Sequence, residues 1–254
     1  MINIDLTGKR AIVTGASGDL GRVMVRTLAK AGADVAIHYG KNAAMADALV
    51  AEVAALGRKG FAVQADITDK ASIFAMRDKV FAEFGGIDIV VANAVVQYAW
   101  TSILEQDEDD YVSQFRSCVL QNVFLAKAFA PSMIERGGGR YIAINTECAM
   151  QNLPSQSAYV SGKRGQDGII RVLAREIGHA GITVNQVAPG WTISDRIREA
   201  GSEDQPGYAA ECALKRRGTD QEIANAVLFL ASDLASYITG AYIPVCGGHV
   251  MPAI

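Results

Sequence analysis

The feature that most restricts how this chain can fold is a repeated alternation. Short, nearly unbroken runs of Val, Ile and Ala are each followed by a longer stretch with helical spacing. The runs are RAIVTG (10–15), DVAIHY (34–39), GFAVQAD (60–66), IDIVVAN (87–93), RYIAINT (140–146), ITVNQVAP (182–189) and AYIPVCGG (241–248). Strands this apolar along their whole length suit a sheet covered on both faces. The intervening segments read as helices: one ending at Lys30, then Asn42 to Leu56, Lys70 to Phe84, Asp110 to Arg136, Gln156 to His179 and Asp220 to Ala231. Seven strands joined by crossover helices predict an α/β fold, a doubly wound parallel sheet with helices on both faces. No Pro/Ser-rich linker, internal repeat or low-complexity tract breaks the pattern, so residues 1–254 are expected to form a single domain. The long irregular piece at 191–213 is the kind of excursion that serves as a lid or substrate wall.

Composition narrows the function classes. Half of the residues are apolar, enough for a sizeable core. A formal charge of −3 gives no general attraction to nucleic acid or anionic lipid, so neither is expected as a partner. No run of about 18 apolar residues appears, so no membrane span is expected. The opening MINIDLTGKR passes almost directly into the first strand, which leaves no room for a signal peptide. Cys118, Cys148, Cys212 and Cys246 lack metal-ligand or redox-pair spacing and read as reduced thiols of a cytoplasmic protein. His38, His179 and His249 are too scattered for a metal site.

The stretch TGASGDLG (14–21) follows the first strand and opens the first helix. Gly15, Gly18 and Gly21 permit a tight turn, close approach of backbone to a pyrophosphate, and packing of helix on sheet. The helix start adds free N–H groups and a partial positive charge. The turn therefore predicts a dinucleotide site, with Ser17, Asp19 and Leu20 completing the contact set. Asp19 stands where a glycine would be wanted; a first-turn carboxylate is favourable there, with its side chain expected to point to solvent. The second strand ends HYGKN, with Tyr39 where an acid would accept a ribose 2′-OH, and Lys41 and Asn42 just beyond. A missing acid and a nearby cation favour a 2′-phosphate, hence NADP, with NAD as the alternative.

Taken with ADITD after the third strand, IDIVVANA of the fourth, Tyr159-Val-Ser-Gly-Lys163, VAPG before Trp191 and RRGTDQEIANAVLFLASDLASYITG, the chain resembles the short-chain dehydrogenase/reductase family over essentially its full length. The resemblance implies a single-domain Rossmann-type fold and a catalytic pair at Tyr159 and Lys163. Residues four apart share a helix face, so phenol and ammonium reach one small volume. A nearby cation is expected to lower the phenol pKa and make Tyr159 a general acid/base near neutral pH. The resemblance places Thr146 where a serine usually orients the substrate carbonyl, and has Lys163 anchor the nicotinamide ribose. It assigns Asp66 and Ile67 to the adenine, Asn93 and Ala94 to the cofactor, and Pro189, Gly190 and Thr192 to the nicotinamide carboxamide. Val95, Gln97, Met150, Gln156 and Trp191 are candidate pocket elements, with Trp191 either a wall or an apolar plug. Glu147 is either solvated or in touch with a polar substrate.

Two departures stand out. Val95 replaces the closing glycine of NNAG, and CVLQNVF puts Val119 where the family has a relay asparagine; Asn122 lies three residues later. The implied function is hydride transfer between nicotinamide and a carbonyl or secondary alcohol of a small organic molecule. The alternatives are a lyase of the halohydrin-dehalogenase type and a non-catalytic dinucleotide sensor. The resemblance also implies a homodimer or homotetramer, paired through the helices at 110–136 and 156–179. The C-terminal CGGHVMPAI is expected to cover a substrate pocket.

Overall fold

In the computed structural model, which describes residues 4–252, all seven strands join one sheet. The strands are β1 (Arg10–Val13), β2 (Asp34–Tyr39), β3 (Gly60–Gln64), β4 (Ile89–Ala92), β5 (Gly139–Ile144), β6 (Ile182–Pro189) and β7 (Tyr242–Val245). Every pairing is parallel, and the order is β3-β2-β1-β4-β5-β6-β7. The first three residues of MINIDLTGKR and the last two of CGGHVMPAI lie outside the described residues.

The helices follow the predicted periodicity closely: α1 (Asp19–Lys30), α2 (Ala43–Ala55) and α3 (Lys70–Phe84) come first. A long rod follows, made of α4 (Glu108–Gln114), one π-helical segment (Phe115–Leu120) and α5 (Gln121–Glu135). Beyond it come α6 (Cys148–Gln151), α7 (Ser157–Ile177), α8 (Asp195–Glu199), α9 (Pro206–Glu211) and α10 (Asp220–Ala231). The short α6 is absent from the sequence reading, and α8 and α9 give the 191–213 excursion more structure than predicted.

Strand alternation explains the two layers. On β1, Ala11 and Val13 face a core with Val23, Met24 and Leu28 of α1, Leu49 of α2 and Val227 of α10. Ile12 points the other way, into a core with Ile73 and Met76 of α3, Phe129 and Met133 of α5 and Ile170 of α7. Each such fully buried aliphatic chain contributes roughly 1.5–3 kcal/mol. The rod is long and apolar enough to cross a bilayer, yet Leu125, Ala128, Phe129 and Met133 are buried against the sheet, as in a core helix.

Strand order reverses between β1 and β4, so the chain departs from their carboxyl ends in opposite directions and leaves a crevice there. The turn after β1 fills its base. Gly15 has φ +63, a left-handed conformation that favours glycine. A Cβ on Gly21 would run into the Gly15 carbonyl oxygen, so α1 can start this close to β1 only with glycine at that place. Gly21→Ala is expected to cost about 1–3 kcal/mol by overpacking, read as a lowered unfolding midpoint in denaturant at unchanged m-value.

Candidate active site

The crevice is a continuous cleft of about 1630 Å³ along the carboxyl edge of the sheet. One end is lined by Lys41, Asp66 and Ile67, the middle by Gly15, Ser17, Gly18, Asp19 and Leu20, and the far end by Thr146, Tyr159, Lys163, Pro189, Gly190 and Thr192. Asn93 and Ala94 also line it. Tyr39, Asn42 and Gly21 do not, nor do Met150 and Gln156. Tyr39 packs on the α1-side core. Asn42 caps α2, its side chain accepting from Met45 N at 3.1 Å.

The middle of the cleft suits a pyrophosphate. Gly18, at the N-cap of α1, supplies no side-chain cap, which leaves first-turn N–H groups for an anion. Two buried groups hold the turn in place. Thr14 Oγ1 accepts from Asn93 N (2.9 Å) and Ala94 N (3.0 Å) and donates to Gln121 Oε1 (3.1 Å), which joins β1, β4 and the rod. His38 Nδ1 accepts from Gly15 N at 2.9 Å, so the ring's proton is on Nε2, facing Ala65 O at 3.1 Å. Burial holds this imidazole down to about 4. His38 escaped the sequence reading because it resembles any other strand residue.

Asp19 does not point to solvent, as the sequence suggested. Its carboxylate turns to the 191–213 excursion, accepting from Ser194 Oγ at 3.0 Å and lying 3.3 Å from Arg196 Nε and 3.2 Å from Arg22 Nη2. Ser194, Arg196 and Ile197 thereby line the cleft, though no motif marks them. The excursion itself is tied by Arg217, whose guanidinium is buried and donates to the carbonyl oxygens of Trp191, Thr192, Ser202 and Glu203 at 2.9–3.2 Å. It also lies 4.8 Å over the Trp191 ring. Trp191 is 48% exposed and lines the cleft, a wall and not a plug.

At the far end, Thr146 lies two residues beyond β5, and Tyr159 and Lys163 lie on the first turns of α7. The Tyr242 hydroxyl donates to Thr146 O and fixes that backbone. Thr146 Oγ1 accepts from Cys148 N at 3.2 Å, and Tyr159 N–H donates to Tyr98 Oη at 2.8 Å. Trp100 stacks on Tyr159 with centroids 5.8 Å apart. Lys163 Nζ is 5.9 Å from the Tyr159 ring centre. The expected depression of the phenol pKa is not observed. Burial pushes Tyr159 up and, separately, pushes Lys163 down, because both charged forms lose water.

Val119 is buried in the π-helical segment, its Cγ2 only 2.8 Å from where a Cβ on Gly165 of α7 would stand. The segment keeps its shape without an asparagine at 119. Gln121 N–H reaches Arg116 O, five residues back, while the side-chain amides of Gln121 and Asn122 donate to Ser117 O and Cys118 O. Asn122 also accepts from Tyr141 Oη at 2.9 Å, so it belongs to the core and not to the cleft. Val95 does line the cleft, partly exposed.

Glu147 is neither solvated nor in the cleft. It accepts from Tyr208 Oη at 2.8 Å and lies 3.1 Å from His249 Nδ1, whose other nitrogen is 3.0 Å from Glu211. Tyr208 Oη in turn accepts from Trp191 N at 2.8 Å. The described part of CGGHVMPAI is thus clasped to α9 and to the residue after Thr146. Burial alone would lower the His249 pKa, but hydrogen bonds to Glu211 and Glu147 raise it.

Three comparisons bear on this arrangement. The family model described as enoyl-(acyl carrier protein) reductase matches residues 15–249. The 3-oxoacyl-[acyl-carrier-protein] reductase FabG of Staphylococcus aureus (strain Mu50) is 38% identical over 247 residues, 96% of this chain and 98% of its own length. A 7α-hydroxysteroid dehydrogenase complexed with NADH and 7-oxo glycochenodeoxycholic acid superposes with TM-score 0.89 at 31% identity, covering 98% of this chain and 97% of its own. A short-chain dehydrogenase from Burkholderia cenocepacia J2315 in complex with NADP gives TM-score 0.88 at 33% identity, over 96% and 98%.

The buried His38 ring carries a pH dependence. Its folded pKa, about 4, lies below its ordinary 6.5, so the unfolded chain takes up the proton first. Its stabilisation is complete above about pH 6.5 and is lost as pH falls towards 4. Thermal midpoints across that window are expected to fall for the wild type and to flatten for His38→Gln; parallel curves would show that the ring is not the acid-sensitive pin.

Proposed function

The chain belongs to the short-chain dehydrogenase/reductase family, and from that membership we propose that it is an NADP(H)-preferring carbonyl reductase acting on a small organic substrate. One observation carries the reading. A glycine turn suited to pyrophosphate and a Thr146–Tyr159–Lys163 group open onto the same cleft, at its middle and its far end. When bound, the nicotinamide cofactor supplies or accepts the hydride.

The chain's own residues then divide the work. Lys41 offers a cation beside the adenosine end, where β2 closes on Tyr39 with no carboxylate, and Asp66 and Ile67 flank the adenine. Tyr39, Asn42 and Gly21 act from behind, shaping the end of β2, the start of α2 and the seat of α1. Ser17, Gly18, Leu20 and the first turn of α1 take the pyrophosphate, with Asp19 turned aside. Asn93 and Ala94 line the ribose, and Pro189, Gly190 and Thr192 the carboxamide. Tyr159 gives its proton to the carbonyl oxygen, a role suited to a phenol that burial keeps neutral. Thr146 orients that oxygen, and Lys163 places a buried cation behind the phenol. Val95, Gln97 and Trp191 wall the substrate side.

Retention of Tyr159, Lys163 and the Thr146 hydroxyl argues against a passive sensor, and the intact turn against a cofactor-free lyase. We read the chain as a single domain of the cytoplasm, its four cysteines unpaired and three of them buried. Exposed Phe115 on the rod and Val172 on α7 suit pairing with a second copy.

Two measurements test this. NADPH is expected to bind at least about tenfold more tightly than NADH by fluorescence titration, a ratio worth roughly 1.4 kcal/mol, and Lys41→Glu to reverse it. Tyr159→Phe is expected to lower kcat by about 10²–10⁴-fold with NADPH affinity kept. Equal affinity for the two cofactors, or a fully active Tyr159→Phe, would overturn the corresponding assignment.

A further inference from the structure

Lys163 raises a question that the reaction scheme leaves open: what holds a buried cation in place? The residue is 3% exposed. The charged and titratable groups facing it are Tyr159 on its own helix and Cys118 on the π-helical segment, and no carboxylate bonds to it among the described residues. Its ammonium donates to two neutral acceptors, Ile144 O at the end of β5 (2.6 Å) and Gln166 Oε1 one turn further along α7 (3.1 Å).

The Gln166 amide cannot choose its orientation freely. Its Nε2 donates to the same Ile144 O at 3.1 Å, which turns Oε1 towards the ammonium. The side chain is 1% exposed, so water does not substitute for either contact. Ile144 is itself one residue before Asn145, whose Nδ2 donates to Lys163 O at 3.1 Å and to Gln186 Oε1 at 2.7 Å. The backbone and side chain of Lys163 are therefore both pinned to the end of β5, two of its three N–H groups are used, and the third is left for the cleft that Lys163 lines.

We propose that Gln166 is a positioning residue for the reaction. It orients the Lys163 ammonium behind Tyr159 and keeps it charged in a site that offers no counter-ion. A hydrogen bond to a charged group is typically worth more than one between neutral groups. Removing this one leaves Lys163 with a single acceptor in a dry environment, where the neutral amine is favoured. A glutamate in its place keeps the acceptor and adds the missing charge. The two substitutions act on Lys163 in opposite senses, which a packing defect would not do.

This proposal rests on the reductase reading, and the experiment separates the two. In protein carrying 15N-lysine, the Nζ resonance of Lys163, assigned by its loss in Lys163→Met, is followed against pH in wild type, Gln166→Leu and Gln166→Glu. NADPH-dependent reduction of ethyl acetoacetate and other simple ketones is measured over the same range. Gln166→Leu is expected to move the Lys163 titration down by about one pH unit or more, to lower kcat/KM roughly ten- to hundredfold, and to bring the alkaline limb of the rate profile down with it. Gln166→Glu is expected to move the titration up. An unchanged Lys163 titration in Gln166→Leu, or shifts of the same sign in both variants, overturns the proposal. Opposite shifts in a protein that reduces none of the carbonyls would support the Gln166–Lys163 coupling while refuting the reductase reading.

Discussion

A single buried hydroxyl sits where the whole arrangement meets. Thr14 closes β1 at the point of strand reversal, and its oxygen takes the N–H groups of Asn93 and Ala94 while giving its own proton to Gln121. Two strand ends and the rod are thereby fixed to one atom. The cost of burying polar groups is met only when each finds a partner, and here the partners come from the end of β4 and from the rod. Asn93 adds a second stitch through its amide to Thr14 O at 2.9 Å. The glycine turn inherits its position from this knot and from His38 on its other side, which is why a segment of small residues can hold a definite shape.

The same rule of satisfying buried polar groups accounts for the less regular half of the site. The 191–213 excursion has little apolar packing of its own, yet Arg217 gathers four of its carbonyl oxygens. Capping of α10 by Thr219 and Glu222 follows directly after, so the strap ends on a firm helix start. On the rod, the carbonyl oxygens of Ser117 and Cys118 in the π-helical segment accept from the side-chain amides of Gln121 and Asn122. Side chains that look unremarkable one by one become legible as partners for backbone that secondary structure does not satisfy.

How much of this was visible in the sequence depends on whether the signal was local. Strand runs and helical spacing are local, and β2, α3, β6 and α10 came out with the bounds read from the pattern. Thr146, Tyr159 and Lys163 could be nominated from the sequence because spacing and motif place them after the fifth strand and on one helix face, and all three line the cleft. The surroundings were not, because they depend on contacts between distant segments. Asp19 meets Ser194 across 175 positions and Glu147 meets His249 across 102. Tyr39 and Asn42 were assigned to the cleft by position alone, whereas one packs inward and the other caps a helix. The phenol pKa was misjudged for a related reason: charge proximity is readable from an i, i+4 spacing, but burial is not.

The contact between Asp19 and the excursion bears on how this chain can exchange parts with its relatives. One carboxylate in the glycine turn faces Ser194, Arg196 and Arg22, so the acid is met by two cations although the turn alone looks acidic. Restoring glycine at 19 by itself would take the acceptor from Ser194 and the partner from Arg196, while Arg22 would keep Asp195; importing a foreign 191–213 segment by itself would leave the acid with Arg22 alone. Positions 19, 194 and 196 form one contact unit, and a chimaera that respects the boundaries of strands and helices would still cut through it.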